Sequence, residues 1–133
     1  MIQLSKEVIV GKRIMVCVTQ QKSCEHLIKK GNQLVEDPSD EIFVIHVIKD
    51  GWRYFSEMKE SDALEYLYTV SKEVDAELIV YKSDNIEKTL SEKAKENNID
   101  TIVLGQSLEE KKQQNMIKRL KKQIDLPIQW EIF

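Results

Sequence analysis

The chain is poor in the residues that build phosphate loops, disulfide frameworks and metal centres. Its 133 residues include four glycines, two cysteines and two histidines. Neither Gly-x-x-x-x-Gly-Lys-Ser/Thr nor Gly-x-Gly-x-x-Gly occurs, which excludes a P-loop and a dinucleotide fingerprint. Cys17 and Cys24 make no disulfide framework and lack Cys-x-x-Cys spacing, so they announce no redox or zinc site. No Cys, Asp or Glu is spaced with His26 or His46 as a metal ligand set. Ser23 and Ser107 follow strand-like runs, but no strained Gly-x-Ser-x-Gly elbow surrounds either. No nucleophile–base pair stands out, so no catalytic residue is assigned and the reading leans away from an enzyme. No charged segment followed by a long apolar run is present, so no signal peptide or transmembrane span is expected, which points to the cytoplasm. The net charge of −3 does not suit a molecule built as a whole to attract nucleic acid.

What the chain does have is alternation. Hydrophobic residues make up 41% and charged residues 32%, the composition of a globular domain, and the length fits one domain with a real core. Apolar runs of strand length fall at Ile14–Val18, Ile42–Ile48, Leu78–Tyr81, Thr101–Leu104 and Ile128–Phe133. They are rich in Val and Ile and lack clean alternation, as parallel strands covered on both faces do. Helical spacing predicts helices over Ser23–Val35, Met58–Val74, Ile86–Asn97 and about Asn115–Gln123. Asp84 or Asn85 is the expected N-cap of the third, and Pro127 ends the fourth. The order β-α-β-α-β-α-β-α-β implies an α/β fold, a five-stranded parallel sheet with helices on both faces and right-handed crossovers. Residues 13–133 read as one domain. Residues 1–12 read as an N-terminal extension, with Ile2, Leu4, Val8 and Val10 on one face of a period-2 pattern and no evident partner. Cys17 is expected to be a small buried hydrophobe. Cys24 is expected to be an ordinary thiol, although helix N-termini lower thiol pKa values. His46, inside Val44-Ile45-His46-Val47, reads as a core histidine with a hydrogen-bonded ring.

The stretch Ile99–Ser107 carries the strongest functional signal: a buried strand stops at Gly105 and opens into a polar loop. In open parallel sheets ligands bind outside the carboxyl ends of the strands. Four loops leave that edge: Thr19-Gln20-Gln21-Lys22-Ser23, Lys49–Phe55, Lys82–Asn85 and Gly105-Gln106-Ser107. Thr19, Gln20, Lys22, Ser23, Trp52, Gly105, Gln106 and Ser107 are therefore the candidate ligand-binding residues, their hydroxyls, amides and lysine suiting an anion or nucleotide near helix N-termini. Loops are also polar because they are solvated, and both readings stay open. Trp52-Arg53-Tyr54-Phe55 offers flat faces to a base or pins a long loop onto the sheet. Residues 111–124 contain six cations and no acid. Ile117, Leu120 and Ile124 fall on one face there and Lys118, Arg119, Lys121 and Lys122 mostly on the other, the pattern of a solvated outer face.

With those residues in view, the chain resembles the universal stress protein family, and within it the stress-protein-like domain of KdpD-type potassium sensor histidine kinases. The likeness is carried by Ile14-Met15-Val16-Cys17-Val18, Leu27-Ile28-Lys29-Lys30-Gly31, Ile45-His46-Val47, Asn85-Ile86 with Ala94, and Ile99–Ser107. It implies the Rossmann-like fold of that family, related to the adenine nucleotide alpha hydrolases. Nucleotide-binding members carry Gly-x2-Gly-x9-Gly-Ser/Thr after strand four. Here Gly105 matches the first glycine, while Leu108, Lys118 and Arg119 replace the second, the third and the hydroxyl. An aspartate those members have at the end of strand one is replaced by Val18-Thr19. The resemblance thus implies a non-enzymatic regulatory or stress-signalling domain with a degenerate ATP-binding motif and a signalling partner. The alternative is a protein that binds ATP, another adenine nucleotide or a cyclic dinucleotide in the loop pocket. A hydrolase or nucleotidyl transferase of the same broad fold has no visible constellation to support it. The last strand is expected to be a sheet edge, so Ile128, Trp130 and Ile132 are candidate residues of a homodimer interface.

Overall fold

A computed structural model describes residues 11–18, 24–48, 60–105 and 110–133. Its elements run β1 (Arg13–Val18), α1 (Cys24–Gln33), β2 (Glu41–Ile48), α2 (Glu60–Glu73), β3 (Glu77–Lys82), α3 (Ile86–Glu96), β4 (Thr101–Leu104), α4 (Glu110–Gln123) and β5 (Gln129–Ile132). The strands form one parallel sheet in the order β3-β2-β1-β4-β5. This is the α/β architecture that the alternating pattern implied. The extra strand suggested by Ile2, Leu4, Val8 and Val10 lies outside the described residues.

Two apolar layers cover the sheet, one on each face. Alternate strand residues point to opposite sides. Ile14, Val16 and Val18 of β1 join Ile42, Val44 and Val103 against Leu27 and Ile28 of α1 and Leu67 and Val70 of α2. Met15, Cys17, Phe43, Ile45, Val47, Ile102 and Leu104 face Leu90 and Ala94 of α3 and Ile117, Leu120 and Ile124 of α4. Right-handed crossovers dictate this division: α1 and α2 step outward from β1 toward β3, and α3 and α4 return the chain to the other side. Coverage on both faces holds for β1, β2 and β4 but not for β3, where Val80 and Tyr81 are exposed. An outer strand has only one sheet neighbour, and the covering helices sit over the middle of the sheet.

Local chemistry sets the ends of the elements. Gly31 lets α1 approach β1, since a Cβ there would lie 2.6 Å from Val16 Cγ2. Gly11 takes φ +89, and a Cβ on it would strike the Ser39 carbonyl. Asn85 is the N-cap of α3, its side-chain oxygen accepting the Lys88 N–H at 3.1 Å. Helices α2 and α3 end alike, with Asp75 at φ 57 and Asn98 at φ 53. The next amides, of Ala76 and Ile99, return to the Ser71 and Ala94 carbonyls at 2.9 Å, which satisfies helix carbonyls without a glycine. Helix α4 starts at Glu110 rather than near Asn115. The first residues, Glu110-Lys111-Lys112-Gln113-Gln114, contain no apolar side chain, so periodicity carries no signal there.

The amino-terminal edge of the sheet is fastened by charge. Arg13 donates from Nη1 to Glu41 at 2.6 Å and from Nε to the Asn97 carbonyl at 2.5 Å, with its guanidinium 4.9 Å from the Phe43 ring centre. Its backbone N–H reaches Asp100 Oδ2 at 3.0 Å. Asp40 accepts from the backbone of Lys12, Glu36 and Asp37, and these hydrogen bonds hold its carboxyl below the ordinary carboxylate range.

Candidate functional site

The chain runs outward from β1 through β2 to β3, then returns to place β4 on the other side of β1. Strands β1 and β4 therefore flank the switch point of the sheet, the place where open parallel sheets bind ligands. All four candidate loops leave this edge, as the parallel pairing requires. Of the candidate ligand residues, Gly105 is described, buried directly after β4. Thr19, Gln20, Lys22, Ser23, Trp52, Gln106 and Ser107 lie outside the described residues, as do Arg53, Tyr54 and Phe55.

The framework under those loops is well defined. His46 on β2 is fully buried, and its Nδ1 lies 3.1 Å from the Val18 carbonyl at the end of β1. A carbonyl can only accept, so Nδ1 carries the proton. Burial lowers the His46 pKa below 6.5, with the Val18 bond opposing, so the ring is neutral at physiological pH. Sequence reasoning read His46 as a core residue, which agrees. It missed that the ring ties down the last carbonyl before the 19–23 loop.

Helix α1 begins at Cys24, which is buried, and burial pushes its thiol up to about 11. Desolvation thus outweighs the helix N-terminus, and Cys24 is no activated thiol. Cys17 on β1 is likewise buried and pushed up to about 12. Glu25 in the first turn of α1 accepts the Tyr66 hydroxyl at 2.8 Å and pairs with Lys29 at 3.2 Å, and both bonds hold its carboxyl below the usual range. Tyr66 rises to about 12, from burial first and the Glu25 bond second.

At the start of α3, Asp84, Asn85, Ile86 and Glu87 line an open cleft of about 280 Å³ with Met116 of α4. Arg119 of α4 spans to this rim, its Nε 2.8 and 2.9 Å from the two oxygens of Glu87 and its Nη2 donating to the first of them. Sequence reasoning placed Arg119 on a solvated face and missed this latch, because nothing in spacing links positions in separate helices. A second cleft, of about 290 Å³, opens at the opposite edge among Pro38, Asp40, Glu41, Ile42, Phe43, Asp75 and Glu77.

One electrostatic theme recurs at the carboxyl edge. A helix N-terminus attracts anions through its unpaired amides and positive dipole end. Here α1 carries Glu25 in its first turn, α3 carries Glu87, and α4 starts on Glu110. The first turns of α1 and α3 thus each carry a carboxylate of the chain's own, Glu25 paired with Lys29 and Glu87 with Arg119. Among the described residues no group of His, Cys, Asp and Glu gathers as a metal site.

At the far edge, Ile128 and Trp130 pack partly buried against the α3/α4 layer, with Lys121 Nζ 5.6 Å from the Trp130 ring centre, while Ile132 is exposed. No helix among the described residues is long and apolar enough to cross a membrane.

Comparison with known proteins closes the picture. The model of the Universal stress protein family matches residues 11–111. Several solved structures share the fold. A universal stress protein in complex with cAMP is 11% identical, with 92% of this chain and 94% of that one covered and a TM-score of 0.60. The universal stress protein of Archaeoglobus fulgidus in complex with dAMP is 11% identical over 94% and 98%, with a TM-score of 0.56. A universal stress family protein of Arabidopsis thaliana with AMP bound is 12% identical over 92% and 92%, also at 0.56. No protein of curated function matches the chain.

Proposed function

The chain belongs to the universal stress protein family, and from that premise we propose that it is a regulatory, stress-signalling domain without enzymatic activity, whose ATP-binding motif has degenerated. The observation that carries this reading is the starting point of α4. In the family's nucleotide-binding pattern the third glycine and the hydroxyl supply free amides to phosphate. Here the matching positions, Lys118 and Arg119, fall in the interior of α4 (Glu110–Gln123), where amides are spent on intrahelical bonds. Their side chains are exposed, and Arg119 is held by Glu87. The family match also stops at residue 111, before either position.

A second reading rests on the relatives solved with cAMP, dAMP and AMP. A nucleotide carrying one phosphate needs no extended nest. In this alternative the pocket is formed by Thr19, Gln20, Lys22, Ser23, Trp52, Gly105, Gln106 and Ser107, beside the switch point. Thermal unfolding with ATP, AMP and cAMP separates the two. A ligand in excess over its dissociation constant raises the melting temperature. The leading reading expects no rise with any of them; a rise with ATP, AMP or cAMP establishes the alternative.

The finer features of the proposal follow the same reading. The domain acts in the cytoplasm with a signalling protein as partner, as its likeness to the potassium-responsive sensor kinase domain suggests. It pairs with a second copy through the β5 edge. Support for the pairing is the outer position of β5 and the exposure of Ile132. Ile128 and Trp130 lean onto the core, so the pairing rests on backbone groups and Ile132.

A further inference from the structure

The two helical layers carry charge of opposite sign. Helix α4 has six cations against one carboxylate. Its neighbour α3 is balanced, with three of each sign. On the other face of the sheet, α1 has two lysines against one carboxylate, and α2 one lysine against four. The α3/α4 layer thus sums to +5 and the α1/α2 layer to −2. Lys118 and Lys122 are exposed and four positions apart, so they stand one above the other on the outside of α4. Neither has an ion pair among the described residues, and Ile117, Leu120 and Ile124 on the inner side belong to the core. Arg119 is bonded to Glu87 of α3, and Lys121 lies over the Trp130 ring. With Glu87 held by Arg119 and Glu96 by Lys93, Glu92 is the free carboxylate among the described residues of α3 and α4. Asp84 and Asp125 lie at opposite ends of the layer, before α3 and after α4, and border the face rather than divide it.

We propose that the α3/α4 face is a docking surface for an anionic lipid bilayer, on which the domain rests by charge without inserting. The apolar side of α4 is spent on the core, and each lysine or arginine close to an anionic bilayer adds its own attraction. Composition and shape select this partner. The exposed large hydrophobic residues, Tyr68, Val80, Tyr81, Leu126 and Ile132, all lie outside α3 and α4, whereas a protein interface is built around apolar and aromatic anchors. Trp130 is partly buried beneath Lys121, so no described aromatic ring of this face stands free to stack the bases of a single strand. Helices α3 and α4 lie side by side, latched by Arg119 and Glu87. The face is therefore about 20 Å wide, too broad for the major groove of a duplex at about 12 Å. A bilayer needs neither an anchor nor a groove to be filled. The acidic α1/α2 layer then turns to water, about 20 Å behind the basic one, well beyond the Debye length of about 8 Å at physiological salt. The inference goes beyond the regulatory reading and requires neither nucleotide binding nor the β5 pairing.

The test sediments the full chain with vesicles of phosphatidylcholine and phosphatidylserine in a two-to-one ratio. Vesicles of phosphatidylcholine alone are the second arm, and a short DNA duplex and polyglutamate serve as competitors. The chain is expected to sediment with the serine-containing vesicles and not with the neutral ones, and added salt should release it. Lys118→Gln with Lys122→Gln is expected to weaken binding about thirtyfold, since each lysine near the surface accounts for about fivefold. Lys72→Gln, on the acidic α2, should leave binding unchanged. All three lysines are exposed, so the folded state should persist, and a melting curve checks that it does. Nucleotide titration and light scattering read the regulatory reading and the β5 pairing separately, so failure of either is distinguishable from failure here. The proposal is overturned by no sedimentation with the serine-containing vesicles at low salt, by equal binding to neutral vesicles, or by a loss with Lys72→Gln as large as with the double variant. It is also overturned if the duplex or polyglutamate, at equal charge concentration, displaces the chain from the vesicles.

Discussion

Replacing Gly31 by alanine probes the closest approach between a helix and the sheet. The added Cβ would stand 2.6 Å from Val16 Cγ2, about an ångström inside ordinary contact. Val16 is fully buried among Ile14, Val18, Leu27 and Ile28, so it has nowhere to turn without disturbing them. Alanine gains about 1 kcal/mol of helix propensity over glycine. Overpacking a tight core costs about 1–3 kcal/mol. The expected net loss is about 1 kcal/mol, a fall in melting temperature of about 4 °C for a domain of this size. Val16→Ala alone removes two buried methyl groups and costs about 2 kcal/mol. In the double variant the new methyl fills the space that Val16 vacates, so the loss should be smaller than the sum of the two single losses by about 1–2 kcal/mol. Urea denaturation with unchanged m-values measures all four corners of the cycle. Additive losses, or a Gly31→Ala protein as stable as the wild type, would refute the packing argument, because the clash would then not exist.

Other outcomes follow from the same structure. Cys17 and Cys24 are held protonated above their ordinary value of 9.0, toward about 12 and about 11. Above pH 9 the unfolded thiols ionise while the folded ones keep their protons. Stability should thus be full below pH 9 and fall as pH rises toward 12. In urea titrations a double Cys→Ala variant should lose the part of that slope that begins at pH 9, while the share of Tyr66, raised from 10.0 to about 12, remains. His46 has the opposite sign: its folded pKa lies below 6.5, so the unfolded chain takes up a proton first and stability should drop as pH falls below 6.5. His46→Gln should flatten that limb, and an unchanged acid limb would remove the histidine from the explanation. Asp75→Gly and Asn98→Gly relieve left-handed backbone and should each add about 0.5 kcal/mol, with a lower melting temperature counting against the cap assignment. Light scattering at tens of micromolar should give a dimer mass that Ile132→Glu converts to a monomer. A monomeric wild type contradicts the β5 pairing.

The sheet was legible because its strands are runs of Val and Ile with no polar alternation, and because each is followed by a helix-length amphipathic stretch. Asn85 was legible as a cap because an amide side chain precedes Ile86 and Leu90 at helical spacing. What escaped was what has no local signature. The first turns of α4 contain no apolar residue, so the helix seemed to begin later than it does. Asp75 and Asn98 end α2 and α3 in a conformation that sequence readers associate with glycine. The Arg13 network joins residues from β1, β2 and the turn after α3, and the Arg119–Glu87 latch joins two helices. Such contacts exist only after the chain has folded. Of the candidate site only the framework was legible: the β/α order put the switch point of the sheet between β1 and β4, while the candidate ligand residues other than Gly105 lie outside the described residues. The carboxylates in the first turns of α1 and α3 become legible only once the helix starts are fixed.

The account stands or falls on triphosphate binding. Isothermal titration of the full chain with ATP is the most direct measurement, because the claim concerns backbone amides that α4 has already consumed. The account predicts no saturable heat at micromolar ATP. A one-to-one isotherm with a low-micromolar dissociation constant would contradict it, since such affinity demands an organised phosphate nest at the positions that α4 occupies.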